Sequence, residues 1–299
     1  MTPAELSETA HSLSNKHKPS VIRRTLLLKK STYYYKSVPE HLSVRKKQER
    51  ILLPLVMDAA EKSRHTYGVV RLTEAVVRSN PGFAVGRNRI RRIMRTHNIH
   101  CQTIRRFKPH SRVKTDESGT NLVQRKFSAE KLNSVWVTDI TYIHVPGKGF
   151  CYLTTFIDLA SRKPVGWHFS KDMKTASVLT ALKNALNNTG FPKEVIVHSD
   201  RGAQFTSNEF RSFLTLMELK QSLSAKGCPY DNAVIESFHS SLKKELVYRT
   251  YFLSYEHAKL CLFDYIENFY IRHRLHSALG YITPMEMENR LLLKHQAAA

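Results

Sequence analysis

Three acidic residues stand where acids are costly. Asp139 interrupts an otherwise β-branched and aromatic run over 135–143, Asp200 closes the short apolar run 194–198, and Glu236 lies on a helical stretch starting near Asn232. A carboxylate in such a place has to be paired or bound to a cation. On the helix, Ile235, Phe238, Leu242 and Leu246 form one apolar face, whereas Asn232, Glu236, His239, Ser240 and Lys243 share another, so Glu236 points away from the packing stripe. Clustered carboxylates without a thiol or imidazole set suit a hard cation, Mg²⁺ or Mn²⁺, held by oxygen ligands with open positions. Two such ions about 3.5–4 Å apart polarise a scissile phosphate, activate water or a 3′-hydroxyl and stabilise the leaving oxygen of an in-line displacement. That chemistry is phosphodiester transfer. Taken singly, the same acids also read as a strand-end cap, a turn former and a solvated helix residue.

The elements that must position them form an alternating series. Strands are expected at 134–143 and 150–158, joined through Gly147-Lys148-Gly149, and at 164–169. A helix over 175–188, a buried strand over 194–198, a helix over 208–218 and a strand over 219–223 follow, then a loop over 224–231. This order predicts an α/β fold, a mixed five-stranded sheet flanked by helices. With the first and fourth strands as neighbours, Asp139 and Asp200 face each other and Glu236 projects from the following helix. Trp136 and Phe238 read as core, and His198 as a packing residue at a strand end.

The chain's charge is lopsided. Its 299 residues carry 47 Lys and Arg against 25 Asp and Glu, a formal charge of +22, and 27 of those cations but only 9 of the acids fall in residues 1–127. A basic first part attached to a nearly neutral second part points to a phosphate-gripping module and a polyanionic partner, a nucleic acid, although such basic runs also occur as solvated faces or disordered arms. Helices are expected at 19–35, 43–62, 67–78 and 86–98, the third and fourth separated by the breaker Ser79-Asn80-Pro81-Gly82. The last sets Arg87, Arg91, Arg92 and Arg95 beside Ile90, Ile93 and Met94, a pattern that fits a helix-turn-helix and equally a basic structural hairpin. Residues 101–115, with Arg105, Arg106 and Lys108, read as an extended basic linker that tracks a DNA backbone, and 116–120 as a hinge. No run of 18 apolar residues and no apolar segment behind the N-terminal charges is present, so neither a membrane span nor a secretory signal is expected. Cys101, Cys151, Cys228 and Cys261 are too scattered for a disulfide framework, and His97, His100 and Cys101 lack a second ligand pair for zinc.

The segments Trp136-Val137-Thr138-Asp139-Ile140-Thr141-Tyr142, His198-Ser199-Asp200-Arg201-Gly202-Ala203-Gln204-Phe205 and Gly227-Cys228-Pro229-Tyr230-Asp231-Asn232-Ala233-Val234-Ile235-Glu236-Ser237-Phe238 resemble the DDE integrase core of insertion-sequence-three family transposases. Sixty residues separate the first two acids and thirty-five the second pair, the latter being the hallmark interval of that group. Lys243-Lys244-Glu245 and His276-Ser277-Ala278-Leu279-Gly280-Tyr281-Ile282-Thr283-Pro284 also look like family signatures. Tyr67-Gly68-Val69-Val70-Arg71-Leu72 matches the family's helix-turn-helix segment only in part, and Ile271 replaces a usual asparagine.

The resemblance implies an RNase H-like core with Asp139, Asp200 and Glu236 as catalytic metal ligands, Mg²⁺ or Mn²⁺ as the cofactor with two ions per site, and strand transfer of element ends into target DNA, both double-stranded DNA. Lys243 and Lys244 would hold phosphates or terminal bases of the element end, Arg201 and Gln204 would position DNA, and Asn232 would brace a metal ligand. It further implies a bacterial, cytoplasmic, nucleoid-associated protein that is a homo-oligomer on DNA. As a downstream-frame product, it would act alone or fused to an upstream-frame partner. Expected domains are a basic helical segment (1–40), a helix-turn-helix-like region with linker (41–115) and the catalytic core with a C-terminal extension (125–290). Two other readings stand beside it: a non-catalytic DNA-binding regulator, and a structure-selective nuclease of the same fold.

Overall fold

The structure, a computed structural model, describes residues 3–33, 44–82, 84–104, 129–224 and 232–298. Arg105, Arg106, Lys108 and Cys228 lie outside the described residues. The chain divides into two compact units, 1–57 and 58–299.

In the first unit α1 (Pro3–Ser12), α2 (Pro19–Thr25) and α3 (Lys30–Tyr33) gather Ala10, Ile22, Leu28 and Tyr33 into a small core. The single helix expected over 19–35 is therefore two. Three consecutive leucines cannot all face one side of a helix, and the break at Leu27 (φ +51°) leaves that side chain exposed while Leu28 turns inward. Next in the chain, α4 (Val44–Lys62) buries Leu52, Val56, Ala59 and Ala60 at the spacing of one face.

The second unit begins with a helical hairpin. α5 (Val69–Ser79) and α6 (Arg87–Thr96) pack through Leu72, Val76, Ile90, Ile93 and Met94, with Asn80 to Gly82 in the turn between them. Glycines at both N-caps, Gly68 and Gly86, are extended and leave the helix starts without a side-chain cap. The sheet follows: β1 (Val135–Val145), β2 (Gly149–Asp158), β3 (Pro164–Ser170), β4 (Ile196–Ser199) and β5 (Lys220–Leu223), in the order β3-β2-β1-β4-β5. β1, β2 and β3 pair antiparallel, and β4 and β5 join parallel. This is the mixed five-stranded RNase H-like arrangement.

α7 (Thr175–Thr189), α8 (Ala203–Thr206) and α9 (Asn208–Leu216) cover one face of the sheet, burying Trp136, Phe156, Leu182, Phe205 and Phe210 in one cluster. α7 can lie that close to β3 because position 166 is glycine: a Cβ there would stand 2.6 Å from the Ala181 carbonyl oxygen. α10 (Ala233–Leu242) runs on into a π-helical turn, Lys243–Val247. α11 (Tyr255–Phe263) likewise continues as a π-helical segment, Asp264–Tyr270, and α12 (Pro284–Ala298) ends the chain.

The helical hairpin and the C-terminal segment of this unit are stapled together. The Tyr67 hydroxyl accepts from the Leu275 N–H (2.6 Å) and donates to the His273 carbonyl (3.0 Å). Arg64 forks onto Asp264 (2.6 and 3.1 Å), and Arg78 reaches Glu286 (2.6 Å). In the C-terminal stretch Arg272 and His273 are exposed, whereas Arg274 is buried. Its guanidinium grips Glu245 through two bonds of 2.8 and 2.7 Å, with the Tyr265 hydroxyl donating a third (2.9 Å).

Candidate active site

The three acids singled out in the sequence come from three elements whose geometry follows from local sequence. Val137 pairs with His198 across the parallel β1–β4 ladder, and two residues further on each chain stand Asp139 and Asp200. β-Branched residues keep both strands extended to that point, and the chain leaves the sheet at Asp200 because its Oδ1 accepts the Gly202 N–H (2.9 Å) in a tight turn. A Cβ at Gly202 would lie 3.0 Å from that same oxygen. Glu236 is on the first turn of α10, exposed, while Ile235, Phe238 and Leu242 pack inward.

Electrostatics ties the three together. Desolvation raises the Asp200 carboxyl pKa above its ordinary value, the Gly202 N–H pulls it back in part, and the charge of Asp139 pushes it up again. Glu236 is raised by desolvation and then by the same Asp139 charge. Asp139 is thus the common neighbour of the other two acids. It is half-buried, and the buried His239 ring approaches it with Nδ1 3.4 Å from Oδ2. The predicted polar face of α10 is therefore split: Glu236 faces out and His239 turns in against β1.

Around Asp139 the protein leaves several buried polar atoms without a protein partner. Thr155, directly across the β1–β2 ladder from Asp139, has such an Oγ1; so do Thr138 at Oγ1, Asn232 at Oδ1 and His239 at Nε2. Asn232 does not bond a carboxylate. Its amide donates to the Thr138 carbonyl (3.2 Å) and so pins the N-terminus of α10 to β1 one residue before Asp139. All-oxygen donors, mutual repulsion and unpaired buried polar atoms fit a hard divalent cation in chemical type. Among the described residues no three His, Cys, Asp or Glu side chains converge tightly enough to grasp an ion as they stand.

The other expected contacts are distributed around this mouth and away from it. Arg201 is exposed and its Nε donates to the Ser224 carbonyl (3.0 Å), and Gln204 donates to the Met173 carbonyl (2.8 Å). Lys243 and Lys244 are half-buried on the π-helical turn after α10, where the Lys244 carbonyl accepts the Ile104 N–H (3.2 Å). Arg87, Arg91 and Arg95 are exposed on α6 and Arg92 is half-buried; Arg87 lies 3.8 Å from Glu74 and Arg91 bonds Asn88 (3.0 Å). His198 is buried with Nδ1 2.9 Å from Ser222 Oγ, and Trp136 and Phe238 are core. Cys101, Cys151 and Cys261 are free thiols. His239 was not separable from solvated neighbours by spacing, although its position three residues after Glu236 is the signal that it shares that acid's side of the helix.

A mixed sheet of this order with acids within β1, just after β4 and on α10 is the layout of an integrase-core polynucleotidyl transferase. The Integrase core domain family matches residues 129–229 and 217–284, and the HTH-like domain family matches residues 47–107. The transposase InsF for insertion sequence IS3A of Escherichia coli (strain K12) is 36% identical over 239 residues, 80% of this chain and 82% of its own. The transposase for insertion sequence element IS904 of Lactococcus lactis subsp. lactis is 34% identical over 242 residues, 81% of this chain and 94% of its own. Among solved structures, the HTLV-2 integrase catalytic core domain in complex with magnesium aligns with 52% of this chain and 97% of its own at TM-score 0.41 and 18% identity. The chain belongs to the insertion-sequence-three family of transposases, and its activity is DNA transposition and integration. No helix among the described residues is long and apolar enough to cross a membrane.

Proposed function

We propose that Asp139, Asp200 and Glu236 are the catalytic carboxylates, and that they hold divalent cations, Mg²⁺ or Mn²⁺, two per site. The observation that carries this is the shared repulsion: Asp200 and Glu236 are both raised by Asp139, on a rim where partnerless buried polar atoms surround that same acid. When bound, the metal supplies charge neutralisation at the scissile phosphate and a lowered pKa for the attacking hydroxyl.

The chain's own residues do the rest. Asp139, within β1, and Asp200, just past the end of the neighbouring β4, present oxygens at matching levels of the parallel ladder, so the sheet sets their separation. Glu236 completes the set from α10, and Asn232 fixes that helix against β1 through the Thr138 carbonyl. His239 backs Asp139 from the buried side. In strand transfer the element's 3′-oxygen bonds to a target phosphorus as the bond from that phosphorus to the target's own 3′-oxygen breaks, and the departing oxygen takes a proton. Arg201, Gln204, Lys243 and Lys244 lie where they can orient the strands, while Arg87, Arg91, Arg92 and Arg95 on α6, with Arg105, Arg106 and Lys108 of the following linker, grip the duplex. Bringing two ends together calls for a homo-oligomer on DNA, with or without an upstream-frame partner, and places the protein at the bacterial nucleoid. The domain reading is 1–40, 41–115 and 125–290.

The test is a strand-transfer assay on labelled DNA carrying the flanking inverted repeats, with Mg²⁺, Mn²⁺ or EDTA. Joined product that requires metal and is lost in Glu236→Gln, with DNA binding retained, is the expected result. Joining by Glu236→Gln at the wild-type rate would overturn the assignment.

A further inference from the structure

β1 and β2 do not end where α7 stops covering them. On the sheet face that buries Trp136 and Phe156, the far end of the hairpin carries Tyr142 and His144 on β1 opposite Tyr152 and Phe150 on β2, each pair directly across the ladder. Trp136 is fully buried, yet Tyr142 is 50% and Phe150 61% exposed. The four rings form a continuous row of edge contacts: Tyr152 to Tyr142 at 5.4 Å, Tyr142 to Phe150 at 6.4 Å and Phe150 to His144 at 5.5 Å. Nothing in the hairpin's own stability requires exposed aromatics there, and water-facing rings on this scale mark a contact surface.

The row lies on the sheet face opposite the Asp139 side chain, and a series of contacts links it to the turn after Asp200. Asp200 holds the Gly202 N–H, Gln204 two residues on bonds the Met173 carbonyl (2.8 Å), and the Tyr142 hydroxyl donates to Met173 Sδ (3.6 Å). Met173, Ala203 and Gln204 line a cleft of about 440 Å³ between the turn after Asp200 and the start of α7. Exposed Lys148, in the turn joining the two strands, supplies a cation at that end of the hairpin.

We propose that Tyr142, His144, Phe150 and Tyr152 are a stacking platform for unpaired bases of the DNA strand that flanks the scissile phosphate. This rests on the transposase reading and extends it to a surface outside the carboxylates. Strand transfer at Asp200 leaves or requires bases released from their partners, and planar rings bind any base by its face, so the platform accepts DNA without regard to sequence. Met173 bridges the platform to the cleft, which fixes how far from the reacting phosphate the first stacked base lies.

Two measurements on the full chain test this. The first compares affinity for a duplex with a single-stranded overhang against a blunt duplex of equal length at fixed salt. The second follows the fluorescence of 2-aminopurine placed in the overhang, which stacking quenches. The wild type should prefer the overhang and quench the probe. Tyr142→Ala and Phe150→Ala should each weaken overhang binding at least about fivefold and relieve quenching, with blunt-duplex binding unchanged. Phe150→Tyr should restore both, and Leu260→Ala, an exposed apolar side chain on α11, should change neither. Alanine variants that bind and quench like the wild type would overturn the platform, as would variants that change self-association and not DNA binding. If the wild type joins element ends without preferring or quenching the overhang, the platform fails and the transposase reading stands; a wild type that binds no DNA removes both.

Discussion

Glu236 and Glu245 sit nine residues apart on one continuous helical segment and have opposite fates. Glu236 is exposed, desolvated enough to be raised in pKa and pushed further by Asp139. Glu245 is buried and saturated, taking two bonds from Arg274 and one from the Tyr265 hydroxyl. The partner side shows the same contrast: burial works against the Arg274 charge, but Glu245 more than offsets it and holds the guanidinium pKa above its ordinary value. One acid is kept in an unfavourable state that a cation would relieve, and the other has its relief built in.

The comparison can be broken most sharply by exchanging the two fates. Glu236→Gln should lower strand transfer by about 10²–10³-fold or more while leaving thermal stability equal or higher, because a repelling charge is removed. Equal loss of activity and of Tm would show that Glu236 is structural. Arg274→Ala should do the reverse, costing about 3–5 kcal/mol in a denaturant titration because it strands the Glu245 charge in the interior. Pairing it with Glu245→Gln should recover part of that loss, and a simple sum of the two effects would deny the pair its role.

A smaller effect is expected from pH and metal. Asp200 and Glu236 have raised folded-state pKa values, so each binds its proton more tightly in the folded protein than in the unfolded chain. The stability they contribute is present below the unfolded carboxyl pKa and is lost as pH rises through the folded values. Buried Asp158, also raised, chiefly by desolvation, adds to the same trend. The metal-free protein should therefore lose Tm from these groups as pH rises out of the acid range, and Mg²⁺ at neutral pH should return it, with EDTA reversing the gain. Asp139→Asn should flatten both dependences; an unchanged Mg²⁺ response in that variant would place the ion elsewhere. Smallest is Tyr67→Phe, which removes one donor and leaves the Leu275 N–H without its acceptor. About 1–3 kcal/mol of stability should be lost, with strand transfer intact in the surviving folded fraction.

Much of this was legible along the chain because the relevant patterns are local. Alternating and β-branched residues marked β1 and β2, the short apolar run marked β4 to within two residues, and the three- and four-residue spacing placed Glu236 outside the packing stripe of α10. The stripe pointed to Leu246 after Leu242, but the π-helical turn shifts the register so that Glu245 is buried and Leu246 only half-buried, and neither that shift nor the partner of Glu245 was legible. Arg274 is 29 residues away, in a segment whose cations read as surface chemistry, and only chain closure turns it inward. The same holds for Leu27, where a helical pattern concealed a break, and for His239, whose neighbour Asp139 comes from a strand a hundred residues earlier.

By itself the sequence determined which residues carry charge and chemistry and the strand and helix order, and its resemblance to a transposase family supplied the expected catalytic class. Tertiary structure decided which charges are spent on the fold and which are left available. That division depends on pairing across long chain separations, Val137 with His198, Tyr67 with Leu275 and Glu245 with Arg274. The free energy of a buried or half-buried charge is set by the few groups within hydrogen-bond reach of it, and their proximity exists only once the sheet and the C-terminal segment have closed around them.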